Sequence, residues 1–507
     1  MLAALRSISC CLGTALAVQW CGSTAARPGM STPAALAPRT AARVEPVAPL
    51  IRVLLDTSGV PLRLLAGKEV RQLYAPDFAP VWTSPAGPLG TDAADALSLL
   101  ARATEHGLSP KDYGVPRLQA LRDSLTRPAP PPQRARQQAR LEVYLSDGVL
   151  RFMGDLRRGR LHPYSISASE KAAGPAGQPV ALLRNGLLRH TAPAAMVAGQ
   201  PRNREYRSLQ QALVRWLATP DSLAGSPARY QQVAVNLERW RWEAFAPDSD
   251  YVLINVPAYE LQVVAAGVVE RRHRVIVGKP ATTTPTLSSS IRYFTLAPGW
   301  HVPRSIATKE MLPRIRQDVR YLERNNLAVY NDRGQQLNAA RINWRMVTTQ
   351  RFPYTIRQSA CCDNALGNIV FRFANPYSVY IHDTPLRQLF DRPKRALSHG
   401  CIRLEHPMQL AAYLLSRENN LARLPTEDEC ARSPRSRDIR LRRPLALHVR
   451  YATCIAENGR LRFLPDIYGR DEVIRRGLFG LKTPTRTTKM PAPSATNAAD
   501  TAEFDAK

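Results

Sequence analysis

The chain has 507 residues, 44% of them hydrophobic and 22% charged, which excludes a wholly disordered protein and leaves room for two to four domains. Its net charge of +29 rests on 70 basic side chains, 61 of them arginine. No zinc-finger spacing, RNA-binding aromatic signature or phosphate-cradling glycine loop accompanies that charge, so nucleic acid is not an expected partner, and a solvated basic surface or attraction to a carboxylate-rich polymer remains.

At the N-terminus, Arg6 is the only charge before Arg27, and a short apolar run from Ile8 to Val18 leads to the small residues Ser23-Thr24-Ala25-Ala26. This pattern predicts a cleaved signal peptide over residues 1–26 and export to the periplasm. Lipid anchoring at Cys21 is disfavoured because Trp20 stands where a small residue is needed. Beyond the leader no stretch is long and apolar enough to span a bilayer, so no transmembrane segment is expected in the mature protein.

Residues 27–50, rich in Ala, Pro and Arg, read as a linker. Residues 51–235 read as a mostly helical domain. Thr91 is placed to cap a helix carrying Leu97, Leu100 and Ala101 on one face, closed by Gly107 and Pro110. A proline run at 128–132 then interrupts, and Leu141, Tyr144, Leu145, Gly148, Phe152 and Leu156 recur at helical spacing up to Gly159. Another helix is expected over 206–216. From about residue 250 the period changes to β-branched runs at 251–256, 260–267 and 268–277, read as antiparallel strands, with further strands at 291–296, 369–373 and 378–382. The charged segment 305–326 reads as a helical insertion between strands, a lid over about 303–350. The tail from 476 is rich in Thr, Pro, Ala and Ser and is expected to be disordered.

The chemistry concentrates in Tyr380-Ile381-His382-Asp383-Thr384-Pro385 and Ser398-His399-Gly400-Cys401-Ile402-Arg403. A thiol with a pKa near 8.5 is a weak nucleophile at neutral pH and needs a neighbouring imidazole or helix N-terminus. Gly400 allows tight backbone beside Cys401, where successive N–H groups are able to stabilise an oxyanion. On the residues alone, three readings stand side by side: a cysteine nucleophile, a metal site, and a small buried hydrophobe.

These residues resemble the signature of the L,D-transpeptidases, cysteine enzymes that cross-link bacterial peptidoglycan. The resemblance extends to residues 236–242, 300–307, 363–367 and 466–471, and is that of a long periplasmic form. It implies an α+β protein with a helical scaffold domain followed by a β-rich, β-sandwich-like catalytic domain over 236–475. It further implies Cys401 as nucleophile, His382 as general base, the backbone carbonyl of Asp383 as its orienting partner, and the backbone of His399, Gly400 and Cys401 as oxyanion hole. Arg403, Tyr380, Trp300, Asn364 and Ser398 would meet the substrate, a peptidoglycan stem peptide. The implied reaction releases D-Ala from a tetrapeptide stem, leaves a thioester, and passes the acyl group to a diaminopimelate amine to give a 3-3 cross-link, with no metal or cofactor. The alternatives are a catalytically silent wall-binding scaffold, a carboxypeptidase, or attachment of a protein to the wall through the same thioester.

Many long members carry a peptidoglycan-binding module before the Asn236 element, and the thirty residues after Tyr206 leave no space for one. Eight cysteines are present, three of them in the leader. The odd remainder leaves at least one unpaired thiol in an oxidising compartment, expected to be Cys401, with one or two bonds joining Cys361 or Cys362 to Cys430 or Cys454.

Overall fold

A long helix, Pro131–Arg158, organises the first half of the chain. It begins inside the proline run, because Pro131 and Pro132 sit in the first helical turn, where a missing N–H leaves no carbonyl unserved. Its buried residues, Leu141, Leu145, Val149, Phe152 and Leu156 among them, form one cluster with helices Val47–Leu55, Gly67–Tyr74, Thr91–Ala101, Val115–Leu125 and Pro179–Leu188. The computed structural model describes residues 46–480 apart from 57–61, 85–88, 162–177, 220–225, 244–249, 361–362, 421 and 433–434. The expected signal peptide, the linker up to residue 45, the tail beyond 480, and Cys361 and Cys362 therefore lie outside the described residues.

Several boundaries differ from those expected. Residues 47–50 of the linker already belong to a helix, since Val47 and Ile51 are buried one turn apart. Gly90, not Thr91, occupies the cap position of the third helix, and no side chain caps it. Inside the helical domain the Glu142 carboxylate is fully buried and gathers the Tyr74 hydroxyl at 2.7 Å, the Trp82 N–H at 3.0 Å and the Thr83 N–H at 2.7 Å. These donors offset the cost of burying a carboxylate and pin the extended stretch 81–83 to the long helix.

The Asn236 to Trp242 element, expected to open the catalytic domain, is largely helical. It ends a helix, Pro227–Arg241, that packs with helix Arg204–Leu217 against the strand residues Tyr251, Leu253 and Cys454. Within it, Glu238 and Arg241 form an ion pair at 3.3 Å with both side chains fully buried. Glu238 also accepts the Leu161 N–H at 2.8 Å, and Arg241 donates to the His106 carbonyl, so the pair ties three segments together. Helix Asp471–Phe479 returns to the same place, with Leu478 buried against Ala234 and Val235, so the ordered domain runs past residue 475.

In chain order the strands are β1 Tyr251–Asn255, β2 Glu260–Ala265, β3 Val268–Gly278, β4 Leu287–Leu296, β5 Trp300–His301, β6 Leu327–Tyr330, β7 Gln336–Leu337 and β8 Thr355–Gln358. They continue with β9 Ile369–Arg372, β10 Ile381–His382, β11 Ala396–Ser398, β12 Ile402–Leu404, β13 Arg437–Arg450, β14 Cys454–Glu457 and β15 Arg460–Phe463. Nine of them form a mixed sheet in the order β11-β3-β12-β10-β9-β4-β13-β1-β2, and the antiparallel pairing of β2 with β3 brings the sheet back on itself. The expected strand-rich domain is thus built on a single returning sheet. Its inner face holds Val252, Leu261, Val275, Ile291, Phe371, Ile381, Ile402 and Leu447 in one core.

The insertion is not a helical flap. Strands β5, β8, β6 and β7 form a second sheet, and Met311, Leu312, Ile315, Val329 and Ile356 give it a core of its own, so it is a small α+β subdomain over about 300–358.

Gly159 ends the long helix with φ +80, and a Cβ there would stand 2.5 Å from Trp242 Nε1 and 2.7 Å from Glu238 Oε1. Gly159→Ala should therefore lower stability by about 1–3 kcal/mol from backbone strain alone. Urea unfolding checks this, and an unchanged midpoint would contradict it.

Candidate active site

The site begins with a strand of two residues. Ser378 lies at φ +52 and the Asn375 side chain is bonded to the main chain of Phe373, Tyr377 and Val379, so the chain turns until just before Ile381 and the strand expected from 378 is cut short. Parallel pairing then sets Ile381 opposite Ile402 and His382 opposite Arg403, while Ile402 N–H donates to the Tyr380 carbonyl at 3.0 Å. Side chains alternate along strands, so the buried Ile381 and Ile402 face the core and Tyr380, His382, Cys401 and Arg403 share the opposite face.

His382 Nδ1 lies 2.6 Å from the Asp383 carbonyl oxygen, which assigns the proton to Nδ1 and leaves the Nε2 lone pair available. Burial first, and then the Arg403 cation, hold this imidazole down to about pKa 3. The Asp383 carboxylate accepts the Asn368 N–H at 2.9 Å, and Gly367, at φ +59, is required beside it because a Cβ would come within 2.5 Å.

Cys401 is a half-buried free thiol. Burial pushes it above its usual range, opposed by hydrogen bonds from the Tyr380 N–H and hydroxyl and by the Arg403 charge. Burial first, and then the Cys401 sulfur, push the Tyr380 hydroxyl well above its usual range, opposed by Trp300 and the Arg372 charge. Tyr380, one of the residues expected at the substrate, thus lies beside the sulfur. The Arg403 Nε is buried without a hydrogen-bond partner among the described residues.

The turn before Cys401 is tightly held. The Ser398 hydroxyl donates to the Cys401 carbonyl at 2.6 Å and accepts the Gly400 N–H at 3.1 Å. Gly400 has φ +122, a conformation that only glycine adopts readily. His399 Nε2 meets Glu310 Oε1 at 2.6 Å, and Glu310 lies in a single π turn, Ala307–Met311, of the inserted subdomain. Such turns often mark functional positions.

Two residues expected at the substrate spend their side chains on the protein's own backbone. Asn364 is fully buried, with its amide donating to the carbonyls of Pro298 and Ser359 and its oxygen accepting the Leu366 N–H, so it braces a loop. Ser398 is 2% exposed and spends its hydroxyl on the turn itself. Residues the sequence reading missed also touch this turn: Glu310, and Thr282 and Thr284, whose hydroxyls donate to the carbonyls of Ser398 and Gly400 at 3.1 and 2.8 Å. The run Thr282-Thr283-Thr284 had the composition of an ordinary loop. Cys454 is a buried free thiol at the helix–strand interface, which removes one of the expected disulfide partners. Among the described residues, no group of three or more His, Cys, Asp or Glu side chains is arranged to hold a metal ion, and no helix is long and apolar enough to cross a membrane.

Residues 249–424 match the family model of the L,D-transpeptidase catalytic domain, and residues 68–213 match that of a scaffold domain. Over residues 249–424 the chain is similar to L,D-transpeptidase catalytic domains. It is 35% identical over 245 residues to a Haemophilus influenzae protein named "Putative L,D-transpeptidase", an alignment covering 48% of this chain and 49% of that protein. The chain thus spans about half the length of that relative. In this α+β arrangement the matched residues contain both β10 and β12, whereas β13 and the segment 466–471 lie beyond them.

If burial and Arg403 keep His382 neutral, its ring resonances should not titrate between pH 8 and 5, and Arg403→Gln should move the titration upward. NMR of the labelled imidazole measures this, and a midpoint between 6 and 7 would contradict it. The same depression affects stability. The unfolded chain binds a proton near pH 6.5 that the folded site refuses until about pH 3, so the stability present above pH 6.5 declines as pH falls through that window.

Proposed function

We propose that the protein is a periplasmic peptidoglycan L,D-transpeptidase that forms 3-3 cross-links through a thioester on Cys401. The observation that carries this reading is the four-residue face of β10 and β12, where a thiol, a neutral imidazole oriented by a main-chain carbonyl, a tyrosine and an arginine meet. The catalytic-domain match supports the reaction class, and the apolar N-terminal run before small residues supports export.

In the first half-reaction, His382 Nε2 takes the thiol proton as Sγ attacks the carbonyl between the diaminopimelate L-centre and the terminal D-Ala. Two donors from Tyr380 and the charge of Arg403 stabilise the sulfur as its proton leaves, so the charge develops where compensation already exists. Gly400 N–H is taken by Ser398, which leaves the N–H groups of His399 and Cys401 to receive the carbonyl oxygen. The imidazolium then protonates the departing D-Ala amine and a thioester remains. In the second half-reaction, the side-chain amine of a neighbouring diaminopimelate attacks that thioester, His382 accepts its proton, and the thiol is restored. Arg403, whose Nε is buried without a hydrogen-bond partner among the described residues, serves as the partner for a stem carboxylate. The inserted subdomain, bonded to the catalytic turn through Glu310 and His399, acts as a lid.

Cys401→Ala should abolish release of D-Ala from disaccharide tetrapeptide and formation of cross-linked dimer, while the fold is retained. His382→Ala should slow acylation by about 10²–10⁴. Mass spectrometry of muropeptides after incubation with the purified protein reads both. Dimers linked 3-3 support the reading, free tripeptide alone indicates the carboxypeptidase alternative, and undiminished D-Ala release by the Ala variant at 401 overturns the nucleophile. An exposed pair such as Glu310 and His399 contributes about 1 kcal/mol or less. Glu310→Ala should therefore speed hydrogen exchange over 304–324 and leave 251–278 unchanged, and equal exchange in both proteins would contradict the lid.

A further inference from the structure

The segment Asp466 to Asp471 takes no part in the reaction above and lies beyond the matched catalytic domain, yet it reaches the turn that carries Cys401. The Tyr468 hydroxyl donates to the Gly278 carbonyl at 2.5 Å and accepts the Thr284 N–H at 3.2 Å. The fully buried Thr284 hydroxyl accepts the Gly278 N–H at 2.8 Å and donates to the Gly400 carbonyl at 2.8 Å. Beside it, the Ser398 carbonyl receives the Thr282 hydroxyl at 3.1 Å and the Lys279 N–H at 3.0 Å. Gly278 makes this close approach feasible, because a Cβ there would stand 2.0 Å from the Thr282 carbonyl oxygen.

A trans peptide is planar, so its N–H points opposite to its C=O. The Ser398 carbonyl shares a plane with the His399 N–H, and the Gly400 carbonyl shares a plane with the Cys401 N–H. Fixing those two carbonyls on the threonine loop therefore fixes the direction of the two N–H groups left to the oxyanion. The peptide between them faces the other way, with its Gly400 N–H on Ser398 Oγ. We propose that Thr282 and Thr284, braced by Tyr468, are positioning residues that aim the oxyanion-hole N–H groups of the catalytic turn. Tyr468 is held for this purpose: its ring stacks on Tyr451 at 5.5 Å, the Arg470 guanidinium lies 5.3 Å from its centroid, and its N–H donates to the Tyr451 hydroxyl at 2.8 Å. The working catalytic unit thus extends at least to residue 468.

This inference rests on Cys401 forming the acyl-enzyme, and its test separates the two. Thr284→Val, Thr284→Ser and Tyr468→Phe are compared with wild type and Cys401→Ala for D-Ala release from disaccharide tetrapeptide and for alkylation of Cys401 by iodoacetamide. Alkylation needs the thiol and develops no oxyanion. Thr284→Val should lower kcat for D-Ala release by about 10², the scale of one lost oxyanion donor, with KM and alkylation little changed. Thr284→Ser should recover to within a few-fold, and Tyr468→Phe should fall between. If Thr284→Val does not fold, Thr282→Val and Tyr468→Phe carry the same comparison. D-Ala release at the wild-type rate in the folded hydroxyl-deleted variants, or a parallel fall of release and alkylation, overturns the positioning role. D-Ala release that survives in Cys401→Ala overturns the nucleophile instead.

Discussion

The parallel pairing of β10 with β12 is the constraint on which the site depends. Two residue pairs set the register, and a slip of β12 by one would turn Cys401 and Arg403 toward the core and bring Ile402 to the groove while His382 stayed in place. The cost of burying charge or exposing isoleucine protects that register more strongly than the few ladder hydrogen bonds do. The surrounding sheet supplies the rest: β9 on one side and β3 on the other hold the short strands between longer ones.

Within this frame, burial dominates the electrostatics. The thiol is raised and the imidazole lowered, so both are neutral at rest, and Arg403 favours a thiolate while disfavouring an imidazolium. The donors from Tyr380 act on the sulfur as charge develops, which suits a site that is uncharged until substrate arrives. The same logic explains why the buried Glu142 carboxylate comes with a ring of donors.

Part of the local chemistry was legible in the sequence because it is local: Gly400 beside Cys401 needs no knowledge of the fold to be singled out, whereas His382 with the Asp383 carbonyl was named through the resemblance. Periodicity also located helix Arg204–Leu217 and the β1 to β3 meander, where each strand meets its neighbour in sequence. Long-range partners were not legible. Thr284 reaches Gly400 across 116 positions and Glu310 reaches His399 across 89, and neither residue type announces a partner. Strand β13 went unread because its arginines follow no strict alternation, with a bulge between Arg440 and Leu445, although it pairs with both β4 and β1. Asn364 was placed at the substrate through the resemblance of residues 363–367, and its partners in the loop around it, Pro298 and Ser359, were not legible in the sequence.

The central physical claim is a neutral thiol beside a neutral imidazole, in place of a preformed ion pair. The direct measurement is the rate of iodoacetamide alkylation at Cys401 as a function of pH, read on the Cys401 peptide by mass spectrometry. The account predicts slow reaction near pH 6, rising about tenfold per pH unit through pH 9 as the raised thiol titrates. A reactive plateau extending down to pH 5 would reveal a thiolate and imidazolium at rest and would contradict it.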